Sequence, residues 1–127
     1  MGNQLEQFLD QKYINLETYK NDGTPIRTPV WFVMDNDLVY VITRDRTGKV
    51  KRLRNNHDVR IVSCSFKGEP KYEWIEGKAE NITGYEADRA IKLRKKKYGM
   101  SARLIGLFTS QKGNLIVYSI KPIRTVS

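Results

Sequence analysis

The residues best suited to chemistry lie between Leu38 and Arg60, in LVYVITRDRTGKVKRLRNNHDVR. Thr43 and Thr47 offer hydroxyls, Gly48 lets the backbone approach closely, and Lys49, Lys51 and Arg52 bring positive charge. Hydroxyls and a glycine at a helix start collect anions, because the free amides there point at a ligand that nearby cations neutralise. The stretch reads as a phosphate cradle. It also reads as a basic connection between a strand and a surface helix whose lysines are merely solvated, since runs of charge usually form solvated faces. Thr47-Gly48-Lys49 lacks the GxxxxGK[ST] spacing of a nucleotide-triphosphate loop, and no GxGxxG follows a strand.

Several elements must position this stretch. Leu38 to Thr43 is a strand of apolar and β-branched residues, and Arg44 to Gly48 is a turn. Val50 and Leu53, three apart, suit a short helix that Asn55-Asn56 closes. Upstream, Asn3 with Glu6 resembles a capped helix start bearing Leu5, Phe8 and Leu9 as an apolar stripe. Tyr13 to Tyr19 alternates, with Ile14, Leu16 and Thr18 on one side, and Asn21-Asp22-Gly23 signals a hairpin turn. Ile26 to Met34 is the next strand, where Pro29 marks a bulge, an edge or an open point in the ladder. An open point beside Val30-Trp31-Phe32 would leave backbone groups free to read a heterocycle, although Trp31 and Phe32 also read as core and rim aromatics. Asp35-Asn36-Asp37 then turns the chain into the Leu38 strand.

Downstream, Val59 to Ser65 is a buried strand and Lys67-Gly68-Glu69-Pro70 a turn. Tyr72 to Ile82 reads as a long strand with Tyr72, Trp74 and Glu76 on one face. Thr83 to Glu86 is a capping box and Gly99 a C-terminal stop. The helix between them turns Ala87, Ala90 and Ile91 inward and pairs Asp88 with Lys92. Its basic run, Lys92 to Lys97, complements the helix dipole and receives no ligand. Arg103 to Ser110 fits helix or strand, and Gly113 to Lys121 is a final strand ended by Pro122. The expected fold is mainly β with short helices: a six- to seven-stranded antiparallel split β-barrel with Greek-key connections. Small barrels fill their own interiors, so a cofactor-sized pocket belongs outside, and a dimer interface is a natural place for it.

The chain has 127 residues, which suits one domain over 1–127 with a single core. Its 39% hydrophobic and 29% charged content is that of an ordinary globular protein. A net charge of +9 implies an acidic partner. Arg44 to Arg60 holds seven Lys/Arg against two Asp, so the charge gathers around the glycine turn. No apolar run is long enough to span a bilayer and no signal segment is evident, so no membrane partner is expected. A lone Cys64 points to a reducing, cytoplasmic setting and reads as a small core residue rather than a nucleophile. His57, the single histidine, reads as a surface turn residue, and one His with one Cys argues against a His/Cys metal site.

The motifs resemble those of the pyridoxamine 5′-phosphate oxidase-like split β-barrels, and most closely the branch of coenzyme F420-dependent reductases. The residues that carry the resemblance are Asp22-Gly23-Thr24-Pro25, Pro29-Val30-Trp31-Phe32, and Thr43-x-x-x-Thr47-Gly48-Lys49-Val50-Lys51-Arg52. Val59-Arg60-Ile61, Cys64, Gly68 and Trp74 continue it. The resemblance implies an FMN-binding-like barrel in which Thr28, Pro29, Val30 and Trp31 line the redox ring. Ile42, Thr43, Thr47, Gly48 and Lys49, with Lys51 and Arg52, would hold the phosphate and tail. It further implies hydride transfer between F420 and a small organic acceptor, in a homodimer with the site at the interface. Thr28 stands where the oxidases carry arginine, which argues against oxidase activity. F420 brings a phosphodiester and a glutamate tail, which suits a cradle followed by Lys51, Arg52 and Arg54. Trp74 or Tyr72 could cover the substrate or serve as interface packing. The cofactor carries the chemistry, so no catalytic side chain is assigned. FMN on the same barrel is the alternative. A haem-binding relative lacks a well-placed histidine here, and a nucleic-acid binder would show repeated aromatic–basic interleaving that this chain lacks.

Overall fold

Strand after strand, every second side chain points into one interior. Ile14 and Leu16, Val39 and Val41, Val59 and Ile61, Ile75 and Ala79, and Tyr118 and Ile120 meet there with Phe8, Phe32, Val50 and Leu53. Burying each large aliphatic of this set contributes about 1.5–3 kcal/mol, so this core supplies most of the drive to fold. The computed structural model describes residues 4–108 and 113–126, and over 100–108 the backbone alone.

The strands are β1 (Ile14–Tyr19), β2 (Pro25–Val30), β3 (Val33–Asp35), β4 (Leu38–Arg44), β5 (Asp58–Ser63), β6 (Ile75–Ile82) and β7 (Leu115–Thr125). They form one antiparallel sheet in the order β2-β1-β5-β6-β7-β4-β3, a curled half-barrel whose non-sequential neighbours are Greek-key crossings. Helix α1 (Gly48–Asn55) puts Val50 and Leu53 into the barrel core. Helix α2 (Gly84–Phe108) covers the outer face of β4, where Ala87 and Ala90 pack on Tyr40, Ile42, Val33 and Val117. Among the described residues no helix is long and apolar enough to cross a membrane.

Several expectations need correction. The segment Ile26 to Met34 is two strands, and their places at opposite ends of the sheet order explain why. β2 ladders with β1 and β3 with β4, so Trp31 and Phe32 must bridge the gap between the two edges. Pro29 sits opposite Asn15 on the edge strand, where its missing N–H costs nothing. The start of the chain makes a 3-10 turn over Glu6–Phe8 that buries Phe8 but leaves Leu9 57% exposed; Asn3 lies outside the described residues.

β6 starts at Ile75, so Tyr72 and Trp74 belong to the preceding loop and share no strand face with Glu76. β7 continues past Pro122, because a register shift at Glu76/Gly77 sets Gly77 opposite that proline. A Cβ on Gly77 would stand 2.9 Å from the Lys121 carbonyl oxygen, so the close approach requires glycine. Gly99 (φ 54, ψ −131) interrupts α2, but the helix resumes to Phe108, which settles Arg103 to Phe108 as helix and leaves 109–110 outside the described residues. Glu86 accepts the Tyr40 hydroxyl at 2.6 Å rather than closing a capping box. Among the described ion pairs α2 is tied by Arg89 to Asp35 at 2.7 Å, not by Asp88 to Lys92. Cys64 is buried as expected, and burial pushes its thiol above the usual range.

Candidate functional site: an uncapped helix start and a broken strand

β4 delivers the chain to α1 through the turn Asp45 to Thr47, and that turn decides what the helix start can bind. Thr47 stands at the N-cap with extended φ/ψ, yet its side chain makes no cap bond. Its Oγ1 donates instead to the Arg44 carbonyl at 3.0 Å. The first helical bond runs from the Lys51 amide to the Thr47 carbonyl at 3.3 Å, so the amides of Gly48, Lys49 and Val50 precede the ladder. No acid stands in this first turn. The result is an uncapped positive helix pole two turns long, opening directly from a strand end.

The cations around this pole differ in their commitments. Arg52 Nε donates to Thr18 Oγ1 at 2.6 Å, which anchors the side chain against β1. A Cβ on Gly48 would stand 3.0 Å from Arg52 Nη1, so the guanidinium lies directly over the glycine. Lys49 is half-buried, and burial first and then the charge of Arg52 hold its ammonium below the usual lysine range. Lys51 is exposed. Thr43 shares the inward face of β4 with Val39 and Val41; its Oγ1 is buried and has no hydrogen-bond partner among the described residues. The helix-start amides and a half-buried ammonium with no carboxylate partner among the described residues are donors of the kind an oxyanion takes. The side chain of Ile42, by contrast, is committed to packing under α2.

The remaining predicted site residues lie on β2 and just after it. Thr28, Pro29 and Val30 occupy the edge strand, with Gly68 of the β5–β6 loop so close to Pro29 that a Cβ there would stand 3.1 Å from its ring. Trp31 stacks on Tyr98 of α2, ring centroids 4.2 Å apart and planes at 7°. The backbone groups expected to be free at this break are taken. The Phe32 amide donates to Tyr98 Oη at 3.0 Å, and the Phe32 carbonyl accepts from Lys97 Nζ at 2.9 Å. A chain crossing between two sheet edges must satisfy its polar groups somewhere, and α2 supplies the partners. Tyr98 Oη also donates to the Lys12 carbonyl at 2.7 Å. Burial pushes the Tyr98 phenol up to about 12 and the Lys97 ammonium down to about 8.

Tyr98, Lys97 and Arg94 escaped the sequence reading, which assigned the basic run to the helix dipole. A signal was present. Ala87, Ala90, Ile91, Arg94 and Tyr98 fall on one stripe at helical spacing, so the same period that buries the alanines half-buries Arg94. The Trp74 ring receives the Arg27 guanidinium at 4.8 Å. His57 is exposed between α1 and β5.

A family model described as pyridoxamine 5′-phosphate oxidase matches residues 1–125. No curated protein matches the sequence. Among solved structures, the chain is similar to the haem storage protein HutZ from Vibrio cholerae, at 18% identity over 91% of this chain and 84% of that one, with a TM-score of 0.71. It is similar to a proposed pyridoxamine 5′-phosphate oxidase from Listeria innocua at 16% identity, over 96% and 92% of the two chains, with a TM-score of 0.70. A structure described as an F420 reductase matches at 15% identity over 96% and 94%, with a TM-score of 0.64. At such identities these likenesses establish the fold.

Proposed function

Because the chain belongs to the pyridoxamine 5′-phosphate oxidase family, we propose that it is an oxidoreductase that binds coenzyme F420 and exchanges hydride between it and a small organic acceptor. One observation carries the reading: the uncapped start of α1, where Lys49 is half-buried with no carboxylate partner among the described residues. In this reading the amides of Gly48 and Lys49 and the Lys49 ammonium hold the cofactor's phosphate, and the Thr47 hydroxyl joins them by turning from the Arg44 carbonyl. Arg52, fixed by Thr18, and the exposed Lys51 meet the negative tail. Thr28, Pro29 and Val30 form one wall of the ring site, and Trp31, pinned by Tyr98, presents its remaining face. The bound deazaflavin supplies the hydride chemistry, and the chain supplies orientation and exclusion of water. Solvent delivers the proton, so no side chain is assigned that role.

FMN is the alternative occupant of the same cradle, since a single phosphate needs only the helix start. The working unit is proposed to be a homodimer in the cytoplasm. Phe66 and Tyr72, 69% and 58% exposed, place two large aromatics on the β5–β6 loop, and a second copy covering that loop would also close the ring site beside Pro29. The test is a titration of purified protein with F420, FMN, FAD and haem, read by fluorescence quenching and absorbance. Tightest binding of F420 is the expected outcome. Tighter binding of FMN would reassign the cofactor, and binding of none would overturn the oxidoreductase reading.

A further inference from the structure

The helix that packs outside β4 also decides how Trp31 is held. α2 comes close to the sheet because its contacts there are the small residues Ala87 and Ala90, set against Tyr40, Ile42 and Val117. Helical φ/ψ stop at Gly99 (φ 54, ψ −131), so Lys97 and Tyr98 occupy the last turn of the segment that begins at Gly84. That turn meets the crossover between β2 and β3, at Trp31 and Phe32.

The two crossover residues are held in different ways. Phe32 is fully buried, and its ring meets Phe8 edge-on with centroids 5.8 Å apart. Trp31 is half-buried and belongs to neither ladder, because β2 ends at Val30 and β3 begins at Val33. An indole without such support would turn freely, and a ligand stacking on it would have to stop that motion. Here α2 has stopped it beforehand. The Tyr98 ring lies parallel to the indole, 4.2 Å from it and 7° from its plane. The Tyr98 hydroxyl accepts from the Phe32 amide at 3.0 Å and donates to the Lys12 carbonyl at 2.7 Å, so the phenol is itself fixed from two directions. Lys97 donates to the Phe32 carbonyl at 2.9 Å and stands 3.6 Å over the Phe32 ring, which secures the backbone next to Trp31. Among the described residues no other ring stacks on Trp31.

We infer that Tyr98 is a positioning residue: it holds the plane of Trp31, and the indole thereby offers a ready stacking face to the cofactor's ring. Tyr98 acts through Trp31 and is assigned no contact with the cofactor. The held plane stands on the contacts of α2, whereas its use by a cofactor ring rests on the oxidoreductase reading.

The test has two arms. In the first, nitrogen-15 relaxation is measured on the indole N–H of Trp31 in the cofactor-free protein, the signal being assigned with Trp31→Phe. In wild type and Tyr98→Phe the indole should be as rigid as the backbone, with an order parameter of about 0.85; in Tyr98→Leu it should fall below about 0.6. A rigid indole in Tyr98→Leu, or a mobile one in Tyr98→Phe, would overturn the role of the stack. In the second arm, F420 and FMN are titrated into each protein. Tyr98→Leu should raise both Kd values by the same factor, about three- to tenfold, the cost of stopping one side chain on binding. Tyr98→Phe loses the hydroxyl's bonds and should melt lower, yet both Kd values should hold. That split between stability and affinity is what a merely structural role would not produce. Affinity that falls with melting temperature in Tyr98→Phe, or a loss confined to F420, would overturn the positioning role. If Tyr98→Leu does not fold, Tyr98→Phe alone still decides, by a rigid indole and unchanged Kd at a lowered melting temperature. Binding of neither cofactor to wild type would defeat the oxidoreductase reading alone, because the relaxation measurement still decides whether Tyr98 holds Trp31.

Discussion

Two regions of this barrel use their arginines and lysines in opposite ways. On the outer face of β2, β1, β5, β6 and β7, the residues Arg27, Glu17, Arg60, Glu76 and Arg124 stand directly opposite one another across four successive ladders. Charge alternates at every step, with contacts of 2.7, 4.0, 3.7 and 2.8 Å. The Glu17 side chain is only 3% exposed and also accepts the Tyr19 hydroxyl at 2.6 Å. A groove of about 570 Å³ opens over this face, but Arg60, Glu76 and Arg124 in its walls are already paired. None of the cradle residues lines it. Around α1 and α2 the nearby acids Glu86 and Asp35 are taken by Tyr40 and Arg89, and Lys49 and Arg94 remain half-buried with no carboxylate partner among the described residues. The contrast teaches that net charge alone does not reveal a ligand. A cation whose cross-strand neighbour is an acid belongs to the fold; a desolvated cation without one is available to an external anion.

Breaking the paired side should produce the largest effect. Glu17→Ala removes the acid shared by Arg27, Arg60 and Tyr19 and should lower stability by about 3 kcal/mol, the upper range for hydrogen bonds to a charged group. Urea denaturation would measure it, and F420 affinity of the folded variant should not change. A Glu17→Ala protein of normal stability but weakened cofactor binding would erase the distinction between the faces.

Lys49→Ala tests the unpaired side and should give the reverse pattern. F420 affinity should fall by about 1.5–3 kcal/mol, while the denaturation midpoint holds or rises, because a desolvated charge has been removed. Unchanged affinity in a fluorescence titration would take Lys49 out of the site. Gly48→Ala is milder. Its methyl group meets Arg52 Nη1, the flexible end of a side chain, so the guanidinium shifts and affinity should drop by about 1 kcal/mol. Calorimetric titration of both cofactors would show whether FMN, lacking the tail, is spared.

Much of this was legible in the residues themselves. The strand, glycine turn and basic helix from Leu38 to Asn55 appear where alternation and spacing put them, because local pattern and tertiary burial agree there. What could not be read was any feature set by sheet closure. The Val30–Val33 segment looks continuous in sequence, and only the curling of β2 and β3 to opposite ends of the order breaks it at Trp31 and Phe32. Pro122 looks like a stop because its partner Gly77, which makes room for it, is 45 residues away in sequence. The charge ladder depends on the register of five strands, and no local pattern encodes it. Lys97 and Tyr98 were hidden for the same reason: their partner is a backbone group exposed by that closure.

The smallest expected effect is a pH dependence at Lys97, which lies between the two behaviours. Its residue is exposed and only its ammonium is partly withdrawn from water, with a carbonyl to donate to and the Phe32 ring 3.6 Å beneath it. Burial lowers its folded-state pKa from 10.5 to about 8. The folded protein therefore releases this proton at lower pH than the unfolded chain does. Between those two values the unfolded chain binds more protons, so this group makes stability rise with pH there. Below the folded pKa both states are charged and the burial penalty is at full size; above the unfolded pKa it is gone. The stability of wild type minus that of Lys97→Met, taken from melting temperatures, should thus be flat up to about pH 7.5 and then shift in favour of wild type up to about pH 10. Glu17→Ala should show no such trend over the same window, because its partners Arg27 and Arg60 keep their charge throughout. A flat difference for Lys97→Met would mean that its ammonium is as well satisfied as the cations of the ladder, and would move it to the structural side of the comparison.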